Sequence, residues 1–163
     1  MLKKFLFLPL MLLLICGCSE RKDISPVLNN ISFTAETQYE NAAFSCDVTV
    51  NDDVLKSVVS KPDEIKGLCF EVTKNKIEVQ FSGITYEPSL ESLPQSAVIK
   101  ILYNVITDVK DSKTLNCNDK NCEISGRVDG YKYTFNFSPS GLPISLYIDE
   151  LNLKIEFKNV TVI

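Results

Sequence analysis

The chain of 163 residues has no histidine, no tryptophan and only two arginines, Arg21 and Arg127. Without histidine it lacks the usual general base near neutral pH and the commonest protein metal ligand. No serine sits in a Gly-x-Ser-x-Gly nucleophile elbow. The acidic pairs Asp52-Asp53 and Asp149-Glu150 both fall where turns are expected, which makes them solvated turn residues rather than an acid/base couple for cleaving sugars. The expectation is a protein that is not an enzyme and holds no metal and no cofactor.

A membrane-spanning run is also missing. The apolar stretch Phe5 to Ile15, preceded by Lys3 and Lys4, is shorter than the roughly 20 residues a bilayer core requires. A basic start, a short apolar run and a small residue ahead of a cleavage point read as an export signal, residues 1–17. The tetrad Ile15-Cys16-Gly17-Cys18 resembles the lipobox of bacterial lipoproteins. That resemblance implies a diacylglycerol on the Cys18 thiol and cleavage just before it. Gly17 supplies the small residue ahead of Cys18, whereas Ile15 occupies that place ahead of Cys16. Two acyl chains, at ~0.8 kcal/mol per buried methylene, make a firm anchor. An ordinary secretory signal with a free cysteine near the new N-terminus is the other reading. With the anchor, the protein is expected to be exported and held at the outer face of a bacterial cell membrane through Cys18.

Residues 18–30 then read as the lipidated cysteine and a polar, flexible tether, Ser19 to Asn30, with an average reach of roughly 20 Å. Residues 31–163 read as a single domain. Without Lys3 and Lys4 the chain keeps 15 basic and 21 acidic side chains. Such a balance fits neither nucleic-acid binding nor a polybasic membrane patch.

From Ile31 onward the dominant period is two, the mark of half-buried antiparallel strands. Phe33, Ala35 and Thr37 share one face; Phe44, Cys46, Val48 and Val50 share another after a turn at Glu40-Asn41. Further strands are expected from Val54 to Ser60, over Leu68, Phe70 and Val72, and over Ile77, Val79 and Phe81. At Gly83 the apolar parity slips to Ile84 and Tyr86, which reads as a bulge or sharp bend within one strand. The segment Pro94 to Val109 breaks the pattern. Val98, Ile101, Leu102, Val105, Ile106 and Val109 fall at helical spacing, opposite Lys100, Asn104, Thr107 and Asp108, which predicts one amphipathic helix. Strands then resume at Leu115 to Cys117 and Cys122 to Val128. Asp129-Gly130 marks a hairpin into the aromatic stripe Tyr131, Tyr133, Phe135 and Phe137. Ile144, Leu146 and Ile148 follow, and then Leu151 to Phe157 with Val160 and Val162. About ten strands and one helix place the chain in the mainly β, α+β class.

Four cysteines lie in this domain. Cys117 and Cys122 flank a four-residue turn, and an exported protein permits a disulfide between them. Direct opposition on a hairpin strains such a bond, so the pairing stays open. Cys46 on the apolar parity and Cys69 on the polar one are not expected to pair, nor all four to converge on zinc.

The apolar stripes have two readings, a solidly packed core or a strongly curved sheet enclosing a cavity beneath the helix. The expected cavity lining is Phe44, Val48, Leu68, Phe70, Ile77, Val79 and Phe81 from strands, with Leu102, Val105 and Ile106 from the helix.

The stretch Pro-x-x-x-x-Gly-Leu-x-Phe-Glu from Pro62 to Glu71, Ser92-Leu93-Pro94, and Ser140-Gly141-Leu142-Pro143 resemble segments of lipoproteins of Gram-positive bacteria. Those are similar in turn to the LolA/LolB-like lipoprotein-carrier superfamily and the related mycobacterial glycolipid-binding lipoproteins. The resemblance implies an incomplete, strongly curved antiparallel β-barrel whose apolar cavity holds a lipid, glycolipid or acyl chain. The carriers use an arginine within the barrel, but Arg127, the domain's one arginine, falls in a late strand. A permanent anchor also suits a stationary acceptor or binder better than a shuttle. The alternative is a surface interaction or scaffold module with a solid barrel.

Overall fold

The computed structural model describes residues 24–110, 115–118 and 121–163. The signal segment, the lipobox Ile15, Cys16 and Gly17, and Cys18 lie outside them. Eleven strands form one antiparallel sheet: β1 (Ile31–Tyr39), β2 (Ala42–Asn51), β3 (Val54–Lys61), β4 (Cys69–Val72), β5 (Ile77–Phe81), β6 (Ile84–Tyr86), β7 (Asn116–Cys117), β8 (Cys122–Val128), β9 (Tyr131–Phe137), β10 (Pro143–Ile148) and β11 (Leu153–Val162). Their order is β6-β5-β4-β3-β2-β1-β11-β10-β9-β8-β7, so the sheet is unclosed, with β6 and β7 at its edges. Among the described residues one α-helix, α1 (Val98–Lys110), crosses its concave side.

The curvature follows from that helix. In the strand order β4 and β8 stand seven steps apart, about 34 Å if the sheet were flat. Yet α1, roughly 10–12 Å wide, contacts both. The sheet therefore wraps around it. Register shifts in β1–β11, β2–β3 and β9–β10 supply local bending of the kind β-bulges give.

Period two holds along the inner face. Ile31, Phe33, Ala35 and Thr37 of β1 are buried, as are Cys46, Val48 and Val50 of β2. Ile144 is an exception, exposed where the β9–β10 register shifts, while its neighbour Ser145 is buried. Gly83 neither bulges nor bends a continuous strand. Ser82 (φ 50°) and Gly83 (φ 80°) form a two-residue turn that pairs Phe81 with Ile84, the arrangement of a tight hairpin with both central residues at positive φ. A turn of two residues shifts parity as a bulge does, so the apolar phase alone did not separate them. At the other end of the chain Leu153 to Val162 form one strand, with Asn159 (φ 52°) beside the shift in register.

The helix begins at Val98, not Pro94. Ala97 N–H bonds the Pro94 carbonyl at 3.0 Å as a separate turn, and Ile101 N–H to Ala97 O, also 3.0 Å, then starts the α-helical pattern. The expected tether is shorter at its domain end. Leu28 is 1% exposed, Val27 N–H bonds Gly141 O at 2.8 Å, and Ile24 O accepts from Leu115 N–H at 3.1 Å.

Polar contacts hold the C-terminal half of α1 to both sides of the concavity. Toward β8 and β9, Tyr133 Oη donates to Asp108 Oδ2 at 2.5 Å, and Asn104 Nδ2 donates to Asp129 Oδ2 at 2.8 Å. Toward β2 and β3, Lys110 Nζ donates to Asp52 O at 2.5 Å and pairs with Asp53 Oδ1 at 3.2 Å. The Tyr133 ring reaches Asp108 by lying across Gly126, its cross-strand partner. A Cβ at Gly126 would stand 2.5 Å from the Tyr133 hydroxyl.

Gly126→Ala is therefore expected to displace Tyr133 and cost about 1–3 kcal/mol in denaturant unfolding, the scale of an overpacked core. Tyr133 also gives a pH signature. Burial first, then the hydrogen bond and charge of Asp108, raise its hydroxyl pKa well above the usual value. The folded state thus holds that proton more tightly than the unfolded chain. This contribution to stability is complete below about pH 10 and is lost as pH rises beyond it. Alkaline denaturation curves are expected to flatten in that range for Tyr133→Phe.

Candidate functional site

The two halves of the concavity are filled differently. On β1, β9 and β11 the inner face is aromatic. Phe33 and Phe157 meet edge to face at 5.0 Å, Phe135 stacks on Phe157 at 5.3 Å, and Phe137 lies 4.4 Å from Phe135 between ring centroids. Rings at these separations leave little space.

On β2 to β5 and the second half of β1 the inner side chains, Phe44 and Phe70 apart, are aliphatic or small, and a cavity of about 300 Å³ remains between them and the start of α1. It opens to solvent on one side. Phe44, Val48, Phe70, Ile77 and Val79 of the strands and Leu68, just ahead of β4, line it together with Leu102 of the helix, all seven among those expected. Phe81, Val105 and Ile106 do not. Phe81 keeps the parity of Ile77 and Val79 but lies at the β5–β6 tip, 37% exposed. Val105 and Ile106 are buried further along α1, with Ile106 facing Val50 and Leu55 at a separate, nearly filled pocket. The cavity meets only the first turns of the helix.

The sequence reading missed Leu93, Ala97, Val98 and Ile99, which close the cavity from the helix side, and Ala35, Val59 and Ile65. It also missed the wall's polar and soft atoms, Thr37, Ser57 and Cys46. Their signal was positional: Thr37 continues the Phe33-Ala35 face, and Ser57 stands between Leu55 and Val59. Burial raises the Cys46 thiol pKa, a hydrogen bond with Ser57 partly offsets this, and the Asp47 charge adds to the rise. Two hydroxyls and a suppressed thiol set in hydrocarbon provide no acid/base couple. What such a wall does well is exclude water around an apolar guest.

The other sequence candidates lie elsewhere. Cys117 and Cys122 form a disulfide across the β7–β8 pair, with Cα atoms 4.0 Å apart. Cys46 and Cys69 are free. Among the described residues no group of three or more His, Cys, Asp or Glu is placed to hold a metal, and no helix is long and apolar enough to cross a membrane. Asp52 and Asp53 serve as acceptors for Lys110, and Glu150 accepts the Lys132 backbone N–H at 3.2 Å. On the outer face Glu156, between Lys154 and Lys158, has its pKa lowered to about 2 by hydrogen bonds to both.

These features define a class, an open antiparallel half-barrel wrapped around one helix, with a solid aromatic half and a hollow aliphatic half. No protein-family model matches the chain, and no curated protein does. Among solved structures it is similar to an uncharacterized conserved protein from Thermus thermophilus, at TM-score 0.54 and 8% identity over 84% of this chain and 80% of that one. A LolA superfamily protein from Nitrosomonas europaea superposes at TM-score 0.42 and 7% identity, over 86% of this chain and 89% of that one. The Thermus chain shares the fold.

Thiol labelling tests the wall. Half-buried Cys69 is expected to be labelled faster than buried Cys46, whose thiol, raised by burial, reacts appreciably only above the usual range of about 8.5. A guest in the cavity slows Cys46 further and leaves Cys69 unchanged, as peptide mapping of the labelled protein would show.

Proposed function

We propose that this protein is a non-enzymatic, lipid-anchored binder at the outer face of a bacterial cell membrane, which takes up a single acyl chain of a lipid or glycolipid. The observation that carries this reading is the apolar cavity of about 300 Å³ under the start of α1. Its volume is at the lower end of ligand pockets. At about 30 Å³ per water-sized unit it admits about ten methylenes.

One magnitude supports a guest. Ten methylenes leaving water would contribute about 8 kcal/mol at ~0.8 kcal/mol each, before the cost of ordering the chain. The second reading, an interaction module, draws on the exposed edge residues Ile84 (72%) and Tyr86 (65%). Its solid barrel is at odds with the hollow half.

Native mass spectrometry of protein purified from its own envelope is expected to show a bound single-chain species. Ala97→Phe, which fills the cavity from the helix side, should remove that species and weaken a twelve-carbon alcohol probe at least about tenfold, with the fold intact by circular dichroism. Bare wild-type protein, together with a destabilised Ala97→Phe, would support a packed interior instead. For the anchor, Cys18→Ser is expected to move the protein from the membrane to the soluble fraction and to abolish metabolic labelling with palmitate. Unchanged fractionation would refute the lipid attachment.

A further inference from the structure

The face of α1 opposite the cavity holds a buried cation. Its position opposite the apolar stripe places Lys100 among solvent-facing residues, yet it is only 9% exposed. An ammonium carries three donors, and a buried charge is costly unless it is paired and hydrogen-bonded. Lys100 Nζ makes one long hydrogen bond, 3.4 Å to the Leu93 carbonyl. Among the described residues no carboxylate stands at ion-pair distance from it.

Lys100 lines a groove of about 520 Å³. Lys74 and Asn75, in the turn between β4 and β5, line it too, as do Asn104 of α1 and Asp129 of the β8–β9 turn. Asp129 Oδ2 is already engaged by Asn104, and Glu91 is exposed at the rim. Two lysines and Asn75 thus line one space, and the more buried lysine makes one long hydrogen bond.

We propose that this groove seats a phosphate group between Lys100 and Lys74. Three charged oxygens supply the acceptors that Lys100 lacks and bridge it to Lys74, which the long carbonyl contact cannot do. The phosphate belongs either to free inorganic phosphate or to the head of a lipid; the lipid source rests on the chain-binding reading of the cavity. Leu93 joins the two sites, since its side chain lines the cavity and its carbonyl accepts from Lys100.

Calorimetric titration of the full chain with inorganic phosphate, dodecyl phosphate and dodecanol tests this. For the lipid source, dodecyl phosphate binds about tenfold more tightly than dodecanol. Lys100→Met erases the difference and leaves dodecanol unaffected, while Lys74→Met reduces it about threefold. For the free-anion source, inorganic phosphate binds, both variants weaken it, and dodecyl phosphate gains nothing over dodecanol. If neither dodecyl probe binds but phosphate does, the chain-binding reading fails and the anion site stands. Wild-type protein with no preference for dodecyl phosphate and no phosphate binding overturns the proposal, as does either variant, when folded, leaving every affinity unchanged. Lys74 is exposed, so Lys74→Met keeps the test decisive should Lys100→Met fail to fold.

Discussion

One helix held from both sides of a curled sheet sets the rest of the structure. The second half of α1 is tied to the β8–β9 side through Asp108 and Asn104 and to the β2–β3 turn through Lys110. Those ties reach across strands that stand four to six steps apart in the strand order, about 20–29 Å in a flat sheet, so they require the curl and are possible only because of it. The bond from Tyr133 depends in turn on a missing side chain, because a Cβ at Gly126 would occupy the path of the ring. A glycine on β8 thus bears on how the helix lies under the whole sheet.

With the helix placed, the concavity divides. Its aromatic half is filled by phenylalanines from β1, β9 and β11. Its other half presents mostly aliphatic and small residues to the first turns of α1, which among the described residues make no side-chain hydrogen bond or ion pair to the strands around the cavity; the polar contact there runs from Lys100 back to Leu93. Interiors are normally packed as densely as organic crystals. A cavity of about 300 Å³ departs from that density on one side only, next to a fully packed cluster in the same sheet. Local hollowness beside local solidity is what a site for a guest requires, with the solid half giving the hollow half its shape.

Much of this was legible in the sequence because strand parity is a strict code. Reading every second residue placed Phe33, Val48, Ile77 and Phe135 on the inner face, where they lie, and helical spacing located α1 to within a turn. Parity does not say how far along a strand the interior extends. Phe81 has the right phase and still lies outside, at a hairpin tip, and Val105 and Ile106 have the right helical face but pack past the end of the cavity. Nor does parity distinguish a bulge from a two-residue turn, so Ser82-Gly83 was misread. The burial of Lys100 escaped helical spacing for a related reason. A helix face that is polar in sequence becomes solvent-facing only when nothing covers it, and here the segment around Leu90 and the β4–β5 turn border it.

The central claim is that the aliphatic half of the concavity receives an acyl chain while the aromatic half does not. Methyl-resolved NMR of the lipid-free protein, titrated with dodecanol, tests it most directly. The account predicts saturable shifts at Val48, Leu68, Val79 and Leu102, with the methyls of Leu146, Ile148 and Ile155 unmoved. Shifts spread evenly over both sets, or none at all at saturating probe, would contradict it.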